Sequence, residues 1–204
     1  MKKEIVFATT NNGKLDRIVN ILKPFGYRVV GLKEFGPLDD VEEDGKTVVE
    51  NARKKAVHFS KQIDRAVLAM DTSLLLDNVP DEDQPSIFVR RIKSSEHKLT
   101  DLEMIDHYSN LFKKYGGKVI GHWETAWVIA YPNGNNYNIV TKSHNRLYVN
   151  KPSNKIVPGL PIDSLQIDLE NGKYFSEMSP KERDNVWGKT VNIALKKILK
   201  VDEQ

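Results

Sequence analysis

The chain has 204 residues, 39% hydrophobic and 29% charged, with a formal net charge of +3 and no cysteine. This is the composition of a water-soluble globular protein, long enough for a single domain with a sizeable core. It excludes disulfides, thiol catalysis and cysteine-ligated zinc, and so small a charge makes no case for a nucleic-acid partner. No apolar run reaches membrane-spanning length and no signal-peptide core opens the chain, so a soluble, cytoplasmic protein without a membrane partner is expected.

The first predicted strand is the short apolar run at residues 5–8, which stops at Thr9-Thr10-Asn11-Asn12-Gly13-Lys14. Leu15, Ile18, Val19, Leu22 and Phe25 then recur at helical spacing. Strand, polar turn and helix together aim backbone N–H groups and a positive helix end at an anion. The hydroxyls, amides, glycine and lysine would complete a phosphate cradle. The same residues also suit an ordinary strand-to-helix loop, and the Walker spacing is absent.

Pro24-Phe25-Gly26 ends this helix, and residues 27–32 read as a second strand. An acidic loop over 36–45 leads to Thr47 and Glu50 at capping-box spacing, opening a helix with Val48, Val49, Ala52, Ala56 and Phe59 on one stripe. A third buried strand over 66–70 delivers Asp71-Thr72-Ser73 at its C-terminal end, where open α/β sheets hold ligands. An Asp there also suits a turn or a cap. The Pro80-to-Pro85 stretch reads as a rigid acidic linker.

Thr100 and Glu103 form a second capping box, on a helix that Gly116-Gly117 ends. Residues 119–131 alternate, and a turn at 132–136 returns the chain as a partner strand over 137–149. At period two the tryptophans of this pair belong to packing more than to a stacking platform. An irregular stretch over 152–161 precedes Asp163, and Ser179-Pro180-Lys181-Glu182 caps a last helix that runs to about Lys200. None of the five histidines stands at metal-ligand spacing to another.

Three segments read together resemble the inosine triphosphate pyrophosphatase family, whose members cut deaminated and otherwise irregular purine nucleoside triphosphates to the monophosphate and pyrophosphate. Thr9-x-Asn11-x-x-Lys14 is similar to the family's phosphate-binding opening. The segment from Glu42 through Glu43, Gly45, Thr47, Glu50, Asn51 and Lys55 to Ala56 resembles its second signature most closely. Asp71-Thr72 stands where the family has the second Asp and the Ser of an Asp-Asp-Ser-Gly turn. The departures are Met70 for the first Asp, Ser73 for the glycine, Leu160-Pro161-Ile162-Asp163 for Phe-Gly-aromatic-Asp, and Trp187-Gly188-Lys189 for Ser-His-Arg. The family's preceding lysine falls on Arg183.

The resemblance implies one α/β domain over residues 1–204, with a long central mixed sheet flanked by helices, two lobes and a cleft between them. It implies Mg²⁺-dependent hydrolysis of a nucleoside triphosphate, usually by a homodimer. Carried over residue by residue, Asp71 and Lys14 are catalytic, and Thr9, Asn11, Lys14 and Lys55 hold the phosphate chain. Glu43 and Asp71 would hold the metal, and Thr72, Asp163, Arg183 and Lys189 would contact the base or the rest of the substrate. A catalytically weak or inactive nucleotide-binding relative of the same fold is the alternative. A Maf-like pyrophosphatase is a third reading, disfavoured by the 42–56 segment.

Overall fold

The computed structural model describes residues 3–92 and 98–200. Its seven strands form a mixed sheet, and four α-helices accompany them among the described residues. The chain divides into two compact units, the first built from residues 1–72, 125–141 and 187–204, the second from 73–124 and 142–186.

In the first unit, β1 (Lys3–Phe7) pairs in parallel with β2 (Tyr27–Gly31) from Lys3↔Tyr27 to Phe7↔Gly31. On its other side Val6 and Phe7 pair in parallel with Val67 and Leu68 of β3 (Val67–Leu76). Parallel neighbours need crossovers. These are α1 (Asn12–Leu22) and α2 (Val48–Ile63). A tight helical turn over Lys23–Phe25 ends at Gly26, whose φ of +79° is the left-handed geometry that favours glycine.

The core of this unit sets Ile5 and Phe7, Leu68 and Met70 against Ile18, Ile21 and Leu22 of α1. Val191, Ala194, Leu195 and Ile198 of α4 (Pro180–Lys200) join them, as does Trp127 of β4 (Lys118–Ala130). Each fully buried large side chain contributes about 1.5–3 kcal/mol relative to exposure. Trp187 lies against this cluster and beside Trp127, with the Arg17 guanidinium 5.0 Å from its ring centroid. Its role there is packing.

In the second unit, the start of β4 runs antiparallel to β6 (Arg146–Val149), which pairs with β7 (Gln166–Asp168). Met104, Ile105, Tyr108 and Phe112 of α3 (Asp101–Lys114) bury against Val119, Tyr148, Ile162 and Leu165. The capping box at Thr100 and Glu103 is formed in both directions. So is the reciprocal pair at Ser179 and Glu182.

Three expectations are corrected. The third strand does not stop at Met70 but continues through Asp71-Thr72-Ser73 to Leu76, because the apolar run resumes at once. The partner strand expected over 137–149 is two strands, β5 (Asn136–Lys142) against β4 and then β6, separated at Ser143-His144-Asn145. At the start of α2, Thr47 caps Glu50 N–H, yet the Glu50 carboxylate takes Lys46 N–H at 2.7 Å instead of closing the box.

Candidate active site

The side chains assigned to the phosphate and metal half lie in the first unit. At the start of α1 the Asn11 side-chain oxygen accepts from Lys14 N–H at 3.2 Å, the geometry of an N-cap. Asn11 N–H in turn donates to Thr9 Oγ1 at 3.2 Å. The three residues are thus brought together as one capped turn at the positive end of a helix. Accepting that bond uses a lone pair of the Thr9 hydroxyl and leaves its O–H as a donor.

The second group is carried by the acidic loop, α2 and β3. Lys55 Nζ stands 3.3 Å from Glu43 Oε2 and 3.2 Å from Asp71 Oδ1, with the lysine side chain only 12% exposed and that of Asp71 14%. Two carboxylates share one ammonium, so the cluster keeps a net negative charge in a partly desolvated place. Beside it, Lys54 pairs with Asp44 and holds that exposed carboxyl below its ordinary range.

Asn51 completes the cluster. Its side chain is 4% exposed; Oδ1 accepts from Gly45 N–H at 2.8 Å and Nδ2 donates to Asp71 Oδ2 at 3.3 Å. Gly45 leaves the room for this: a Cβ there would lie 2.6 Å from Asn51 Oδ1 and 2.8 Å from Glu50 Cβ. Sequence reasoning quoted Asn51 within a motif and gave it no role. Its place inside that motif does not tell which partners the fold brings to the two ends of its amide.

Met70 does not enter the group. Neighbouring residues of a strand point to opposite faces, and Met70 lies in the apolar core, 6% exposed. Thr72 is half-buried in β3, and Lys189 is a backbone position in α4.

The remaining assigned residues, Asp163 and Arg183, lie in the second unit. Asp163 is 4% exposed within a short 3₁₀ helix, Pro161–Ser164, and its Oδ2 is 4.0 Å from Arg183 Nη1. That nitrogen is buried and makes no hydrogen bond among the described residues. Ile162, where an aromatic was expected from the resemblance, is buried in the core and cannot stack on a base. Gln166 was missed altogether. It is 2% exposed and donates from Nε2 to Asp163 Oδ1 at 2.6 Å. In a polar-apolar-polar run such as Gln166-Ile167-Asp168, alternation reads the polar residues as solvent-facing, and here both are buried.

No group of three His, Cys, Asp or Glu side chains suited to a metal exists among the described residues. The carboxylates of Glu43 and Asp71, gathered around the Lys55 ammonium, are hard oxygen donors of the type that could hold Mg²⁺.

Residues 5–200 match the Ham1 family. The dITP/XTP pyrophosphatase of Desulfotalea psychrophila is 30% identical over 184 residues, covering 89% of this chain and 78% of that protein. The Bacillus subtilis dITP/XTP pyrophosphatase is 42% identical over 77 residues, which is 38% of this chain and 39% of the relative. Among solved structures, the Staphylococcus aureus Ham1 protein aligns with a TM-score of 0.71 at 24% identity, over 98% of this chain and all of that one. The α/β fold with a central mixed sheet expected from the resemblance is therefore found, and the chain belongs to the Ham1 family.

Proposed function

We propose that the protein hydrolyses nucleoside triphosphates, deaminated purines among them, to the monophosphate and pyrophosphate. The observation that carries the reading is the Glu43–Lys55–Asp71 cluster, built from the very segments that resemble the family signatures. The names borne by relatives, dITP/XTP pyrophosphatase, agree with it.

In this reading water attacks the α-phosphorus and the bond to the bridging oxygen of the β-phosphate breaks. Pyrophosphate leaves with the electron pair. Asp71 orients the water or takes its proton. Lys14, Thr9, Asn11 and the first N–H groups of α1 hold phosphate oxygens. Glu43 and Asp71 would hold Mg²⁺, whose chemistry when bound is to neutralise charge on those oxygens. Lys55, whose partners in the structure are these two carboxylates, would serve the phosphate chain.

Asp163, Arg183, Thr72 and Lys189 contact the base or the rest of the substrate in the same proposal. With no stacking aromatic at Ile162 and with Trp187 held in the core, the preference for inosine or xanthosine triphosphate over ATP or GTP should be weaker than the family pattern would give. A single domain acting as a homodimer in the cytoplasm belongs to this proposal too. The second reading, a catalytically weak relative, draws on Met70, which leaves the site one carboxylate fewer than the family pattern.

The test is pyrophosphate release with Mg²⁺ across ATP, GTP, CTP, UTP, ITP and XTP. Release from a deaminated triphosphate is expected, with a kcat/KM ratio of ITP over GTP below about 100, or ~2.7 kcal/mol. Binding of these nucleotides without release from any would replace the hydrolase by the weak relative.

A further inference from the structure

The second unit contains a buried polar chain that the reaction above does not use. Gln166 Oε1 accepts from Arg146 Nη1 at 2.8 Å and from Trp123 Nε1 at 3.0 Å, while its Nε2 reaches Asp163 Oδ1 at 2.6 Å. Arg146 is itself 4% exposed and stacked over the buried Phe175 ring, 4.1 Å from the centroid. Around the same carboxylate, the Tyr148 hydroxyl is fully buried with no hydrogen-bond partner among the described residues.

The donors decide the direction of this chain. A guanidinium and an indole N–H can only donate, so the Gln166 atom that both approach must be the amide oxygen. Its other end is then the NH₂ group, and Asp163 Oδ1 is obliged to accept. No flip of the amide and no proton on Oδ1 fits all three bonds at once. Burial makes the arrangement stringent, because a mismatched polar atom there forfeits its hydration without replacement.

We propose that Gln166 is a positioning residue that fixes the rotamer and the polarity of Asp163, with Arg146 and Trp123 as its anchors. Its consequence is for selectivity. A carboxylate locked as acceptor suits a base whose ring nitrogen carries a hydrogen, as in hypoxanthine, and opposes adenine, whose corresponding nitrogen is an acceptor. This inference rests on the reading of Asp163 as a base contact, and the experiment separates the two.

The ratio of kcat/KM for ITP over ATP is measured for wild type, Gln166→Met, Gln166→Glu and Asp163→Asn, with the melting temperature of each. Gln166→Met keeps the bulk and removes both polar ends. Its ratio should fall by about tenfold or more, the scale of a hydrogen bond to a charged group. Gln166→Glu still accepts from Arg146 and Trp123 and presents an oxygen to Asp163 Oδ1. One proton must then be shared between the facing carboxyl groups, so the ratio should acquire a pH dependence absent from wild type. A merely structural role would lower melting temperature and rates together and leave the ratio and its pH profile alone.

If Asp163→Asn changes the ratio and neither Gln166 variant does, the positioning role is overturned while the base contact stands. If Asp163→Asn leaves the ratio unchanged, the base contact itself falls and this inference with it. Should the Gln166 variants not fold, hydrogen exchange of the Gln166 side-chain amide in the wild-type protein decides. Slow exchange is expected, and exchange at the rate of a solvent-exposed amide overturns the proposal.

Discussion

Asp71 and Asp163 are both carboxylates that receive a hydrogen bond from a buried side-chain amide, yet the two are held very differently. Asn51 reaches Asp71 at 3.3 Å, is itself secured by a loop N–H, and shares the carboxylate with the Lys55 ammonium. Gln166 reaches Asp163 at 2.6 Å and is secured by a stacked guanidinium and an indole. The first arrangement is ready to exchange partners and the second to resist any exchange. A carboxylate meant to take up a cation or a proton needs the former, and one meant to present a constant acceptor needs the latter.

The strongest way to break this contrast is Asp71→Asn. Pyrophosphate release should drop by about 10³-fold or more, the usual cost of losing an activating carboxylate, while the melting temperature stays near wild type. Release at the wild-type rate would remove Asp71 from the chemistry and leave it a strand residue with a salt bridge.

Lys14→Ala probes the neighbouring helix cap. Triphosphate should bind roughly 10- to 100-fold more weakly, while monophosphate binding changes little, because the proposed partners are phosphate oxygens. Calorimetry giving equal losses for both ligands would return Lys14 to a solvated helix face.

Asn51→Ala sharpens the contrast directly. The Gly45 N–H and Asp71 Oδ2 both lose a partner, so kcat should fall about tenfold, with KM for the triphosphate less affected and about 1–3 kcal/mol of stability lost. A stability loss with an intact kcat would make Asn51 a loop tether and nothing more.

The smallest expected effect concerns the second unit and acid. His122 is buried, and desolvation lowers its pKa, with Lys142 adding and Glu124 and Asp77 opposing. Burial lowers His107 in the same way, against Asp106. A histidine whose folded pKa lies below the unfolded value of about 6.5 takes its proton more readily in the unfolded chain. Stability is therefore full above that pH and falls as pH drops below it toward the folded pKa. His122→Gln should flatten the acid limb of melting temperature against pH, below the unfolded histidine value of about 6.5. Superimposable limbs in variant and wild type would assign the acid sensitivity elsewhere.

Much of the fold was legible because its long elements are strongly periodic and punctuated. Thr100, Ser179 and Gly26 each mark a helix boundary by local chemistry that tertiary structure did not override. Both misread boundaries fall where polar residues interrupt an apolar pattern, three at Asp71-Thr72-Ser73 and a longer run from Thr141 to Arg146. At Asp71-Thr72-Ser73 the strand continues through them, because partners for the polar groups are supplied from α2, as with Lys55 and Asn51. At Ser143-His144-Asn145 it breaks. Of the site, the charged residues of the 42–56 segment and Asp71 could be named from residue type and motif. Asn51 and Gln166 could not, since the use of a buried amide depends on which donors and acceptors the fold delivers to its two ends.

Gly45 carries one more consequence. Because a side chain there would collide with Asn51 Oδ1, the absence of one lets the acidic loop reach the Asp71 carboxylate through the Asn51 amide as well as through Glu43 and Lys55, much as two levers share a linkage. A shift of the loop should therefore change how the Asp71 carboxylate is aimed. Loop position and carboxylate aim are then one coordinate and not two.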